Sequence, residues 1–166
     1  MRLRQLHADD RPALAALLRA TETFTPDEVE VALELIDLEL DDPGGGHGYR
    51  FVVAEVEGAV AGYACYGRTP MTDNVWDLYW LAVAPEGGSR GTGTGLLAAV
   101  EAAAAAEGAR MIVVETASQA SYGPARAFYE RQGYAAVARV PDFYAPGDDK
   151  LIYVRRFAAG GSGAAS

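Results

Sequence analysis

Apolar and polar residues alternate from Arg2 to Leu6, which predicts a short strand. His7-Ala8-Asp9-Asp10 offers a cap, and Leu14, Leu17 and Leu18 then share one helical face up to about Ala20. Thr25-Pro26-Asp27-Glu28 has the form of a helix start: a threonine cap, a proline at the first position and acids in the first turn. Val29, Leu33, Ile36 and Leu40 continue it at helical spacing, and Asp41-Asp42-Pro43-Gly44-Gly45-Gly46 ends it. Tyr49 to Glu55 and Ala59 to Tyr66 predict a hairpin turning at Glu57-Gly58. Trp76 to Val83 predicts a buried strand, and the alanine-rich run from Leu96 to Glu107 a helix stopped by Gly108. Met111 to Glu115 is a further strand, and Gly123-Pro124 opens a helix running through Arg131. Tyr134 to Val140 and Leu151 to Phe157 pair as a last hairpin. Residues 1–157 thus make one domain, and the small, polar residues 158–166 a flexible tail.

The junction between the Trp76–Val83 strand and the following helix carries the strongest chemical signal. Gly87 to Gly93 holds four glycines, one serine, one threonine and one arginine. A bare turn needs one or two glycines, so this many implies close approach of the backbone to a ligand. Amides at a helix start point outward and carry partial positive charge, which suits phosphate. A Walker loop fits badly because it wants Gly-Lys-Ser/Thr and the one lysine of the chain is Lys150. A dinucleotide fingerprint fits badly, because the spacing is Gly91-x-Gly93-x-Gly95 in mid-chain.

Bulk properties narrow the partners. At 166 residues the chain can bury a real core. Its formal net charge of −9 argues against nucleic acid and favours a cationic substrate such as an amine. No apolar run reaches the ~20 residues of a membrane span, and Met1-Arg2-Leu3-Arg4-Gln5 is too polar for a signal peptide. The single cysteine, Cys65, reads as a core residue in a reducing cytoplasm. No metal is expected, since neither histidine has ligand partners at suitable spacing.

Two motifs carry a family resemblance. Val83-Ala84-Pro85 followed by Gly88-Ser89-Arg90-Gly91-Thr92-Gly93 and Leu96-Leu97 resembles the acetyl-CoA-binding motif Q/R-x-x-G-x-G/A of the GNAT N-acetyltransferase superfamily. Gly88 stands where that family has Gln or Arg, and Arg90 is the nearby cation. Ala125 to Tyr134 is similar to a second GNAT motif, A-x-x-F-Y-E-x-x-G-F/Y. The resemblance implies an α/β fold with a mixed central sheet, splayed fourth and fifth strands and helices on both faces. It also implies an acetyl-CoA-dependent N-acetyltransferase acting by direct attack of a primary amine in a ternary complex. A non-catalytic acyl-CoA-binding module of the same fold is the alternative.

The resemblance further implies roles for individual residues. Leu81, Ala82 and Val83 would contact the thioester arm, and Gly88, Ser89, Arg90, Gly91, Thr92, Gly93 and Thr94 the pyrophosphate. Tyr129 occupies the position of the acid that protonates the leaving sulfur; its other reading is a core tyrosine. The base is Asp77, Glu115 or neither, with water-mediated deprotonation in the last case. Strand parity puts Asp77 on the face of Tyr79 and Leu81. The turn between the first two helices would offer Thr23 and Phe24 to the acceptor. The last hairpin resembles the loop covering the amine in ribosomal-protein N-terminal alanine acetyltransferases. There Phe143 and Tyr144 would wall the acceptor site, with Asp142 or Asp148 attracting an ammonium; a plain turn with solvated acids fits the same residues. Acceptors are then a small amine or a protein N-terminus, and a homodimer is left open.

Overall fold

The computed structural model describes residues 1–86 and 91–158. Gly88, Ser89 and Arg90, three of the residues expected at the pyrophosphate, lie outside this range, as does the expected tail beyond Ala158. The elements are β1 (Arg2–Arg4), α1 (Arg11–Ala20), α2 (Pro26–Asp41), β2 (Arg50–Val56), β3 (Ala59–Arg68), β4 (Val75–Val83), α3 (Thr92–Ala106), β5 (Met111–Ala117), α4 (Gly123–Arg131), β6 (Ala135–Ala145) and β7 (Asp148–Arg156). They build a seven-stranded sheet in the order β1-β2-β3-β4-β5-β7-β6. β4 and β5 run parallel, and the other neighbours are antiparallel.

Each face of the sheet buries one helix pair. Leu14, Leu17 and Leu18 of α1 and Val29, Leu33 and Ile36 of α2 pack on Phe51, Val53, Tyr63, Cys65 and Ala82. Leu96, Leu97, Val100 and Ala104 of α3 and Tyr129 of α4 pack on Trp76, Leu78, Ile112 and Val114. Cys65 is fully buried, and burial pushes its thiol well up, so it is a core residue. The start of α2 forms as its sequence predicts. Thr25 Oγ1 accepts from the Glu28 amide at 3.2 Å, and Glu28 Oε2 accepts from the Thr25 amide at 2.7 Å. This reciprocal cap is worth about 1 kcal/mol.

One irregularity decides the shape of the sheet. Cys65 of β3 pairs with Trp80, but Tyr66 pairs with Leu78, so Tyr79 is an extra residue in β4. Such a bulge bends its strand and increases the local twist. The β4–β5 ladder runs from Val75–Met111 to Leu78–Val114 and stops there. β4 continues to Val83 against β3, while β5 continues to Ala117 against β7. The fourth and fifth strands therefore splay apart from Tyr79 onward, as the family resemblance implies.

The bulge also corrects the parity argument. Leu81 packs with the α3–α4 cluster, whereas Trp80 and Ala82 face α1 and α2. Asp77 keeps Tyr79 as a neighbour but does not share a face with Leu81. The last hairpin is longer than its pattern suggests: β6 continues through Pro141 to Ala145, and the turn shrinks to Pro146-Gly147. A register shift between Val140 and Ala145 and a positive φ of 54° at Asp142 absorb the proline.

Gly62 faces Val83 across the β3–β4 ladder where β4 borders the gap. A Cβ there would lie 2.7 Å from the Ala82 carbonyl oxygen and 3.1 Å from Leu96 Cδ1. Backbone must then move, so Gly62→Ala is expected to destabilise the fold by about 1–3 kcal/mol in denaturant unfolding. An unchanged midpoint would show that β4 tolerates displacement there.

Candidate active site

The parted strands open a cleft of about 570 Å³. Asp77 to Val83 of β4 form one wall, and Val114 to Ala117 of β5 with Ala125 and Tyr129 of α4 the other. Thr21, Thr23, Phe24, Asp27, Glu28 and Val31 cover it from the α1–α2 side, and Tyr122 and Tyr144 close it from the β5–β7 side. The two sides are tied across the opening. Tyr122 Oη donates to Glu28 Oε1 at 2.7 Å, and Thr23 Oγ1 donates to the Ser121 carbonyl at 3.5 Å.

The exposed edge of β4 supplies hydrogen-bonding groups to the cleft. Ala84 N donates to Ala61 O at 2.8 Å, and alternate residues of an antiparallel strand face the same partner. The amides of Ala82 and Trp80 therefore point to β3, and those of Leu81 and Val83 point into the gap. The start of α3 adjoins this edge: a Cβ on Gly93 would sit 3.6 Å from Val83 Cγ2 and 3.5 Å from the Phe128 ring. Gly91 precedes the helix with φ of 74°, a conformation glycine adopts without strain. Thr92 is buried, and Thr94 Oγ1 accepts from Gln132 Nε2 at 3.3 Å.

Two titratable groups that the sequence singles out face each other's side of this cleft. Asp77 is half-buried, and burial raises its carboxyl above the usual carboxylate range, with the charge of Glu115 adding to the rise. Hydrogen bonds from Thr69 and Tyr79, and the charge of Lys150, oppose it. Thr69 Oγ1 donates to Asp77 Oδ2 at 2.6 Å. Burial, Asp77 and Tyr49 push the Tyr79 phenol up to about 12. Tyr129 is buried on α4, and burial pushes its phenol well up, so the hydroxyl stays protonated. The flanking phenols of Tyr134 and Tyr153 donate to Glu101 and Glu130 at 3.1 and 3.0 Å. Among the described residues, no such partner takes the Tyr129 hydroxyl.

Glu115 also lines the cleft, but its side chain is half-exposed and its Oε2 lies 2.9 Å from Lys150 Nζ. The expected aromatic walls divide. Phe24 lines the cleft, edge-on to Trp80 at 5.3 Å, and Tyr144 lines it from the other side. Phe143 is not among the residues that line it. Its ring packs edge-on to Tyr144 at 5.0 Å and carries Lys150 Nζ 4.4 Å from its centre. Asp142 and Asp148 do not line the cleft: Asp142 Oδ1 accepts from Gly147 N, and Asp148 Oδ1 from Gln119 N. Asp149 is the organising acid there, taking the Asp142 amide at 2.8 Å and an ion pair from Arg139.

Sequence reasoning missed Thr69, Trp80 and Thr116. Thr116 Oγ1 is buried beside the cleft with no hydrogen-bond partner among the described residues. No spacing rule marks these three: Trp80 and Thr116 line the cleft where the strands part, and Thr69 reaches Asp77 from a loop. No metal-ligating cluster occurs among the described residues, and no described helix is long and apolar enough to cross a membrane.

Comparison with known proteins agrees with this geometry. The model of the acetyltransferase (GNAT) family matches residues 4–134. A GNAT-family protein from Desulfovibrio desulfuricans is 42% identical, with a TM-score of 0.89 over 95% of this chain and 99% of that one. The ribosomal-protein-S18-alanine N-acetyltransferase of Escherichia coli is 20% identical, with a TM-score of 0.73 over 98% and 97% of the two chains. A PaiA N-acetyltransferase from Thermoplasma acidophilum, solved with coenzyme A, is 16% identical, with a TM-score of 0.72 over 94% and 98%. The last two likenesses concern the fold. A search of curated proteins finds no match.

The Glu28–Tyr122 bond is a charge-assisted link between the two sides of the cleft. Tyr122→Phe is expected to cost about 1–2 kcal/mol in denaturant unfolding. Wild-type stability in that variant would mean the link contributes nothing to holding the sides together.

Proposed function

Because the chain belongs to the GNAT acetyltransferase family, we propose that it moves an acetyl group from acetyl-CoA to a primary amine by direct attack within a ternary complex. The observation that carries this reading is that Asp77, Tyr129 and the free amides of Leu81 and Val83 all meet the one cleft opened at Tyr79. Acetyl-CoA brings the acyl group as an activated thioester. The residues present fit it: an unpaired strand edge for an amide-bearing arm, a glycine-led helix start beside that edge, and a hydroxyl with no partner among the described residues. Gly91, Thr92, Gly93 and Thr94 are the described residues we assign to the pyrophosphate, with Gly88, Ser89 and Arg90 before them.

Asp77 is the base in this proposal. A carboxylate raised by burial is better matched to neutral pH than an exposed one. It takes a proton from the incoming ammonium and leaves the nitrogen lone pair free to attack the carbonyl carbon. The Leu81 and Val83 amides receive the negative charge that develops on the carbonyl oxygen. As the carbon–sulfur bond breaks, Tyr129 gives its proton to the sulfur and regains one from the nitrogen. Glu115, held by Lys150, acts on Asp77 through its charge rather than as the base.

The acceptor is cationic. Asp27, Glu28, Asp77 and Glu115 line the cleft, and no arginine or lysine is among the described residues that do. This local field attracts an ammonium in a chain whose net charge is already −9. Phe24, Trp80 and Tyr144 supply apolar walls. A small amine and a protein N-terminus both satisfy these terms.

The test is thiol release from acetyl-CoA across a panel of amines. Tyr129→Phe is expected to lower kcat by about 10²-fold with little change in coenzyme affinity. Asp77→Asn is expected to lower kcat/KM similarly and to remove the acid limb of its pH profile. That limb lies above the usual carboxylate range, because activity needs the charged form and burial disfavours it. Tight coenzyme binding with no amine acetylated would instead identify an acyl-CoA-binding module.

A further inference from the structure

The loop joining β3 to β4, residues 69–74, is built with unusual care for an exposed connection. Thr69 N donates to Val75 O at 2.8 Å. Thr72 Oγ1 donates to Thr69 O at 2.7 Å and accepts from Val75 N at 3.2 Å. Asn74 Nδ2 donates to Glu107 O at 2.7 Å, and Asn74 Oδ1 accepts from Trp76 Nε1 at 3.0 Å. Met71 and Asn74 hold φ of 59° and 56°, a region that costs non-glycine residues energy. Met71 itself is fully exposed, so the strain is not repaid by burial of its side chain. What the knot fixes in place is Thr69, whose hydroxyl reaches Asp77 Oδ2 at 2.6 Å.

We propose that Thr69 is a positioning residue of the acetyl-transfer site: held by this loop, its hydroxyl fixes the Asp77 carboxylate and keeps it ionised to meet the acceptor ammonium. The inference rests on the reading of Asp77 as the base. A carboxylate has about four acceptor sites, so the bonds from Thr69 and Tyr79 leave capacity for the ammonium facing the cleft. Desolvation disfavours the charged form of Asp77, the form that accepts a proton. A donor to the charged form opposes this. Thr69 is the neutral donor with a fixed backbone, and Tyr79 is the second, on the bulge itself. Glu115 faces the same carboxylate from β5 and disfavours its charge, while Lys150 from β7 favours it. Tyr49 packs edge-on to Tyr79 at 5.2 Å and limits where that phenol can swing. The arrangement holds Asp77 between two failures. Full solvation would make it a weaker base, and burial without donors would shift it towards its neutral form.

The experiment is a carboxyl-carbon NMR titration of the full chain labelled at aspartate, with Asp77→Asn identifying the Asp77 signal. Thr69→Val keeps the shape and removes the donor; it is expected to move the Asp77 titration upward by about one pH unit. Thr69→Ser keeps the hydroxyl and is expected to titrate as the natural chain does. Thr69→Ala replaces the valine variant if amide spectra show that the latter is unfolded. With the most active amine of the panel, the acid limb of kcat/KM should move in the same direction and by the same amount. An Asp77 titration unmoved in a folded Thr69→Val or Thr69→Ala chain overturns the inference. Unimpaired acetylation by Asp77→Asn overturns the assignment of the base instead, whatever the titration shows. The two failures are therefore separable.

Discussion

One extra residue in one strand shapes the whole site. Without Tyr79 as a bulge, β4 would stay in register with both neighbours, and the ladder to β5 could continue past Leu78 and Val114. With it, the alternation of backbone directions slips by one. Before the bulge, the amides of Trp76 and Leu78 point towards β5; after it, those of Leu81 and Val83 point the same way, but β5 has gone. Unpaired strand amides are costly unless water or a ligand takes them. The parting thus creates both the cleft and the demand for something with carbonyl and amide groups to fill it. The same slip puts Leu81 and Val83 side chains over α3, so the lost pairing is partly replaced by packing.

Electrostatics then divides the labour along the cleft. In the proposed reaction an acidic chain binds a polyanionic co-substrate, and the acids lie in the cleft lining while the helix start that would receive phosphate follows the end of β4. Asp27, Glu28, Asp77 and Glu115 line the cleft, while α3 offers the amides of its first turn. Asp77 sits where these demands cross. Burial disfavours its charge, and Thr69, Tyr79 and Lys150 oppose that shift. Tyr129 is buried too, and burial alone keeps its phenol protonated.

Much of this was legible in the residues, and the parts that were not share a cause. Thr25-Pro26-Asp27-Glu28 marks a helix start by local chemistry alone, and α2 begins there; α4 likewise begins at Gly123. The mixed sheet and the parting came from resemblance rather than from periodicity. Period-two reasoning failed at Leu81 because a bulge leaves no local signature in Leu78-Tyr79-Trp80. Phe143 and Tyr144 look equivalent in sequence, yet of the two only Tyr144 lines the cleft, a difference set in an irregular stretch of β6. Thr69 was invisible: its value comes from a contact across a loop, which no spacing within the strand encodes.

The central claim is that the gap beside Leu81 and Val83 is where the thioester arm lies. Amide hydrogen exchange tests it most directly, without knowledge of the acceptor. In the free protein, the amides of Leu81 and Val83 should exchange much faster than those of Trp80 and Ala82, which are bonded to β3. Adding acetyl-CoA should slow Leu81 and Val83 and leave Trp80 and Ala82 as they were. Equal protection of all four amides before ligand is added, or no slowing of Leu81 and Val83 at saturating acetyl-CoA, would contradict the account.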